Sequence, residues 1–140
     1  MEALERSALA AALRESTWLY PTIEALHIVG LALVAGAAIA FDLRLLGVAR
    51  ALPLEPLARF LPRLSLTAFT ALSLPTGALL FITQARALAD NPVFWAKLVL
   101  LGAAGANAWL FRKGVRRQAA VVSLLAWIGV VFCGRFLAYT

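Results

Sequence analysis

Four long apolar runs, separated by short connections that hold most of the basic residues, constrain this chain more than any other feature. Each is long enough to cross a hydrocarbon core of roughly 30 Å at about 1.5 Å per helical residue. Inside hydrocarbon every backbone N–H and C=O must find its partner within the chain, so runs of this kind cross as helices. They fall near residues 18–41, 64–84, 93–111 and 119–139. Composition agrees, because 63% hydrophobic and 14% charged residues place the chain outside the range of soluble domains. The expected fold class is all-α: one polytopic membrane domain forming a four-helix bundle. Pro75 predicts a kink in the second run, which neighbouring helices can accommodate by satisfying the freed carbonyl.

Before the first run, Leu4, Ala8, Leu9, Ala12 and Leu13 recur at helical spacing with Glu and Arg on the other side. That pattern predicts a short N-terminal helix lying in the membrane interface. Ala38-Ile39-Ala40 resembles a signal-peptidase site, but Glu2, Glu5 and Glu15 break up a positive n-region and the apolar run is too long for an h-region. The run is read as a retained span.

The connections set the orientation. Residues 42–63 hold Arg44, Arg50, Arg59 and Arg63, and the RKGVRR connection holds Arg112, Lys113, Arg116 and Arg117. Both are expected on the cytoplasmic side by the positive-inside rule, which puts both termini outside, in the periplasm of a Gram-negative host. Trp18, Tyr20, Trp95 and Tyr139 then mark the outer boundary and Trp109 the inner one. The excess of 13 Lys+Arg over 7 Asp+Glu is thereby a topology signal, and nucleic acid is not an expected partner. Prolines 53, 56 and 62 suggest that 42–63 is a bent, surface-lying connection. Weak similarity of AGAAIAF to AGANAWL, and of SLTAF to SLLAW, raises a duplicated hairpin against chance matching of Ala-rich helices.

Ionisable residues inside the spans are the candidate site, because hydrocarbon tolerates them only when protein, water or a ligand solvates them. Glu24 and His27, three apart on one helix face, fall roughly 9 and 13 Å below the outer start of the first span. Lys97 and Arg135 each lie on the order of 7 Å from the outer end of theirs. Either could snorkel to the headgroups; together, the four predict a shared polar pocket in the outer leaflet.

A haem b suits these residue types, with His27 as axial ligand, Lys97 and Arg135 on the propionates, and Glu24 orienting a partner or relaying a proton. Small residues, among them Gly30, Gly36, Gly102 and Gly105, would let a macrocycle approach backbone, although close helix packing explains them equally. One histidine per chain requires either a symmetric homodimer sharing the haem or an iron without a second histidine. Copper is an alternative with His27 and Cys133 as ligands, but the initiator is the only methionine. A proton or ion pathway is another, supported by Thr67, Thr70, Ser73 and Thr76 on the second span, which could instead bond back to their own helix. A structural subunit is a third. Gly-rich phosphate loops, nucleophile elbows, HExxH and paired cysteines do not occur in the sequence, so no soluble-enzyme chemistry is implied.

The segments WLYPTIEALHIVG, AFDLRLLG, NPVFWAKLVLLGAAGANA and GRFLAY, in that order, resemble a family of small bacterial four-helix membrane proteins of unknown function, from Trp18 to Tyr139. The resemblance implies that His27, Asp42-Leu43-Arg44, Lys97 and Gly134-Arg135 are its characteristic positions. More distantly the chain is similar to copper-resistance D-type and haem-binding four-helix membrane proteins, without the several histidines and methionines those use. Asp42 is expected as a helix-end or loop group and Arg44 as a topology anchor. The overall expectation is a bacterial inner-membrane protein that binds haem b for electron transfer or redox sensing, or carries copper, protons or a small anion.

Overall fold

The computed structural model describes residues 1–111, 114 and 117–140. Arg112, Lys113 and Arg116, on which part of the orientation argument rests, lie outside the described residues. Among the described residues the chain is all helical. It runs through α1 (Glu2–Glu5), α2 (Ala8–Glu15), α3 (Leu19–Leu45), α4 (Leu54–Ala68), a π turn (Phe69–Ser73), α5 (Leu74–Thr83), α6 (Ala85–Ala89), α7 (Pro92–Phe111) and α8 (Arg117–Leu137). Four stretches, Leu19–Leu45, Leu54–Thr83, Pro92–Leu110 and Arg117–Leu137, are long and apolar enough to cross a membrane. The protein is thus an all-α membrane four-helix bundle.

The first span is longer than its hydropathy suggests. Helix α3 continues through Asp42 to Leu45 because its stop signal is Gly47, at φ +102°. There the Val48 N–H donates to Leu43 O at 3.0 Å and the Gly47 N–H to Arg44 O at 3.2 Å, a Schellman cap that a left-handed glycine permits. Asp42, expected at a helix end or in a loop, is therefore an intrahelical residue and only 2% exposed.

The following connection shrinks correspondingly to residues 46–53, held by Arg44 Nε donating to Leu52 O at 2.9 Å. Pro53 is the N-cap of α4 and Pro56 sits in its first turn, where a missing N–H costs no intrahelical bond. Residues 54–63, expected as surface-lying loop, are helix, with Pro62 inside it.

The irregularity expected at Pro75 takes the form of the π turn just before it. Leu74 N–H donates to Phe69 O, five residues back, and Pro75 opens α5. Proline lacks the N–H that Ala71 O would accept, so one wider turn absorbs the fault and the span continues. Ser73 and Thr76, on either side of Pro75, are both buried.

Helix α3 is central, packing against α4, the π turn and α5 on one side and α8 on the other. Helix α7 packs against α8 and α6, reaches the second span through the stack of Phe94 on Phe81 at 5.5 Å between ring centroids, and has no close backbone approach to α3 or α4. The N-terminal segment is a strap across the end of the bundle that carries the termini. Ala10 and Leu13 are buried, while Leu4, Ala8, Leu9 and Ala12 of the expected apolar stripe stay exposed. Arg14 Nη1 donates to Thr83 O at 3.2 Å and the Arg86 N–H to Glu5 Oε1 at 2.8 Å, fastening the strap over the end of α5.

Candidate functional site

The π turn builds the polar node. Thr76 donates its hydroxyl hydrogen to Leu72 O at 2.6 Å, bonding back along its own helix. Its oxygen then faces His27 Nδ1 at 2.9 Å and can only accept there, since the single hydroxyl hydrogen is already used. With the Thr76 hydroxyl hydrogen directed to Leu72 O, the matching neutral tautomer is the one that carries its proton on Nδ1.

Two glycines make the approach possible. A Cβ on Gly77 would lie 3.0 Å from His27 Cε1, so the ring occupies the place of a side chain on α5. A Cβ on Gly30 would lie 2.7 Å from Ser73 Oγ and 3.1 Å from Ser73 N, so α3 meets the π turn backbone to backbone. Ser73 Oγ itself is buried with no hydrogen-bond partner.

Lys97 is half-buried on α7, against α8. Its Nζ would be 4.0 Å from a Cβ on Gly134, and its charge is close enough to act on both His27 and Cys133. The other two expected residues stand apart. Glu24 is exposed on α3, one turn from His27 and close enough to Tyr20 for its charge to act there. Arg135 is exposed at the rim, hydrogen-bonded to the Tyr139 hydroxyl with its guanidinium 4.6 Å from that ring's centroid. An i,i+4 partner on its own helix takes the side chain that the sequence suggested for a shared pocket.

Of the hydroxyl row, Thr70 bonds back to Leu66 O at 2.9 Å and Thr67 is exposed. Ser73, Thr76 and Thr83 are buried. Tyr20 continues the row toward the terminal end, beside Thr83 and accepting from Gln84 Nε2 at 2.9 Å.

Among the described residues no three of His, Cys, Asp and Glu stand close enough to hold a metal ion. The His27 ring points into the seam with α5, away from the outward face that a haem shared between two copies would require. A cavity of about 220 Å³ does lie between the four spans, but its lining includes none of Glu24, His27, Lys97 and Arg135. Asp42 lines it instead, a residue that hydropathy had placed at the helix end and that the glycine stop signal at Gly47 would have placed inside.

No family model, no curated protein and no solved structure matches the chain.

Proposed function

We propose that this membrane protein relays protons and that His27 is the group that takes them up and releases them. The observation that carries this reading is that the ion pairs among the described residues join only exposed side chains and none engages a buried ionisable group of the bundle. Among the described residues the ion pairs are Arg6 with Glu2, Arg59 with Glu55 and Arg86 with Glu2, all between exposed side chains. None involves Glu24, His27, Asp42, Lys97 or Arg135. A subunit that used polar residues to bind its helices together would pair opposite charges in the interior. Unpaired groups at membrane depth are costly and are retained where a proton, ion or ligand visits.

His27 has the form a relay needs. Uptake at Nε2 gives an imidazolium and release from the same atom restores the neutral ring, while the Nδ1 bond to Thr76 keeps the ring oriented. Glu24 and Tyr20 lie one and two turns nearer the terminal end, on the route from the aqueous boundary. Proteoliposomes with an internal pH dye and an imposed potassium diffusion potential should acidify faster than protein-free vesicles. His27→Gln should slow that flux by about a hundredfold, the scale of a lost acid–base group. Wild-type vesicles no faster than empty ones, or an unaffected variant, would overturn the reading.

Haem-based electron transfer is the competing reading, favoured by one feature: a ring oriented through an Nδ1 hydrogen bond is also how a ligating histidine is prepared. Protein purified from haem-replete cells with a Soret band that shifts on dithionite reduction, lost in His27→Ala, would replace the relay with it.

The membrane is proposed to be the bacterial inner membrane with both termini outside. Arg44, Arg50, Arg59, Arg63 and Arg117 gather toward the end opposite the termini, whereas Arg6, Arg14 and Arg86 are offset by Glu2, Glu5, Glu15 and Asp90. Alkaline phosphatase fused after Thr140 should be active and fused within 48–52 inactive; the reverse pattern would invert the topology.

A further inference from the structure

The proton relay at His27 leaves one buried ionisable group without a task. Asp42 is 2% exposed and its Oδ2 has no hydrogen-bond partner, although Ser123 stands beside the carboxylate. A buried carboxylate oxygen is costly at membrane depth unless something pairs with it. It borders the half-open cavity of about 220 Å³ lined by α3, α4, the π turn, α7 and α8. Apart from Asp42 and two serines, that cavity is walled by apolar groups, and three of them are the rings of Phe41, Phe69 and Trp127.

We infer that this cavity is a binding site for a small lipophilic amine in its protonated form. A carboxylate acceptor surrounded by aromatic faces is complementary to an organic ammonium group, which donates to Oδ2 and is drawn to the ring quadrupoles. The apolar walls take the body of the ligand. Size sets its upper limit: cavities of about 150 Å³ accommodate benzene, so this one holds a single ring with a short aminoalkyl arm. Access is lateral. Helix α7 meets the second span at the Phe94–Phe81 stack on α5 but has no close backbone approach to α3 or α4, so the cavity opens between α7 and α4 toward the bilayer, where lipophilic amines accumulate. The site lies at the opposite end of α3 from His27, fifteen residues away in sequence, and does not depend on the relay.

Benzylamine, benzyl alcohol and Asp42 variants test it in lipid nanodiscs, read by Trp fluorescence and calorimetry. Benzylamine should bind saturably and at least about tenfold more tightly than its neutral isostere, the discrimination expected of a charge-assisted hydrogen bond. Asp42→Asn should erase that preference. Gly105→Leu provides a second variant that keeps the carboxylate: Gly105 lines the cavity and a Cβ there meets nothing within 4 Å, so the added side chain fits the fold and fills the site. It should abolish binding with the melting temperature maintained. Absence of saturable benzylamine binding, equal binding of benzyl alcohol, or a preference surviving in Asp42→Asn would overturn the proposal and leave a slot for acyl chains.

Discussion

Gly30→Ala is expected to destabilise the bundle, although the same change in an unobstructed helix stabilises it by about 1 kcal/mol. The new methyl would start 2.7 Å from Ser73 Oγ, 3.1 Å from Leu72 Cγ and 3.1 Å from Ser73 N. The hydroxyl can rotate away, but the backbone nitrogen belongs to the π turn and moves only if the turn does. Overpacking of this kind costs about 1–3 kcal/mol, enough to reverse the helix-propensity gain. Gly30→Leu should prevent assembly altogether. Gly36 is the internal control, since a Cβ there meets nothing within 4 Å. Thermal unfolding in detergent should therefore show a lowered midpoint for Gly30→Ala and an equal or raised one for Gly36→Ala. Equal behaviour of the two variants would mean that α3 and the π turn do not meet as described. A drop at Gly36 in lipid but not in dissociating detergent would instead reveal a second copy against that face.

The second large effect is expected at Gly77. A valine there takes the space of the His27 ring, whose Cε1 lies 3.0 Å from the position of the added Cβ. The ring must leave, and with it goes the hydrogen bond to Thr76. We expect Gly77→Val to lose about 1–3 kcal/mol of stability. Adding His27→Ala should restore much of that loss, because removing the ring vacates the seat that the valine needs; contacting residues are where additivity fails. Since His27 is the only histidine, its ring gives a single pair of nitrogen signals in an imidazole-labelled sample. The wild type should show the Nδ1-protonated tautomer and Gly77→Val a mixture. An Nε2-protonated ring in the wild type would contradict the direction of the Thr76 bond and the relay built on it.

Much of the bundle was legible from the chain. The apolar runs near 64–84, 93–111 and 119–139 coincide with the greater part of the observed spans, because length and hydropathy leave a membrane-crossing chain few options. The error at the end of the first run came from reading a charge as a boundary. Asp42 looked like a place where the helix must leave hydrocarbon, whereas Gly47 was the residue whose backbone freedom stops it. The prolines of residues 53–62 were read as loop for a similar reason, although two of the three stand where a helix begins and needs no N–H.

The candidate site was less legible, and Arg135 shows why. Depth along a helix can be read from residue number, but azimuth depends on which neighbours the helix chooses. Tyr139 holds Arg135 at the rim, while the glycine beside it, Gly134, is the residue that faces Lys97.

The sequence by itself determined that this chain crosses a membrane four times as helices and that His27, Glu24 and Lys97 lie in one half of the bundle. These follow from hydropathy and helical rise, which are local properties. Only the tertiary structure decided that His27 is held by Thr76 and seated on Gly77, that Glu24 and Arg135 stand outside that node, and that Asp42 faces a cavity between the spans. Those outcomes depend on the close approach of α3 to a π turn and on α7 remaining apart from it, contacts between segments distant in sequence that no local pattern encodes.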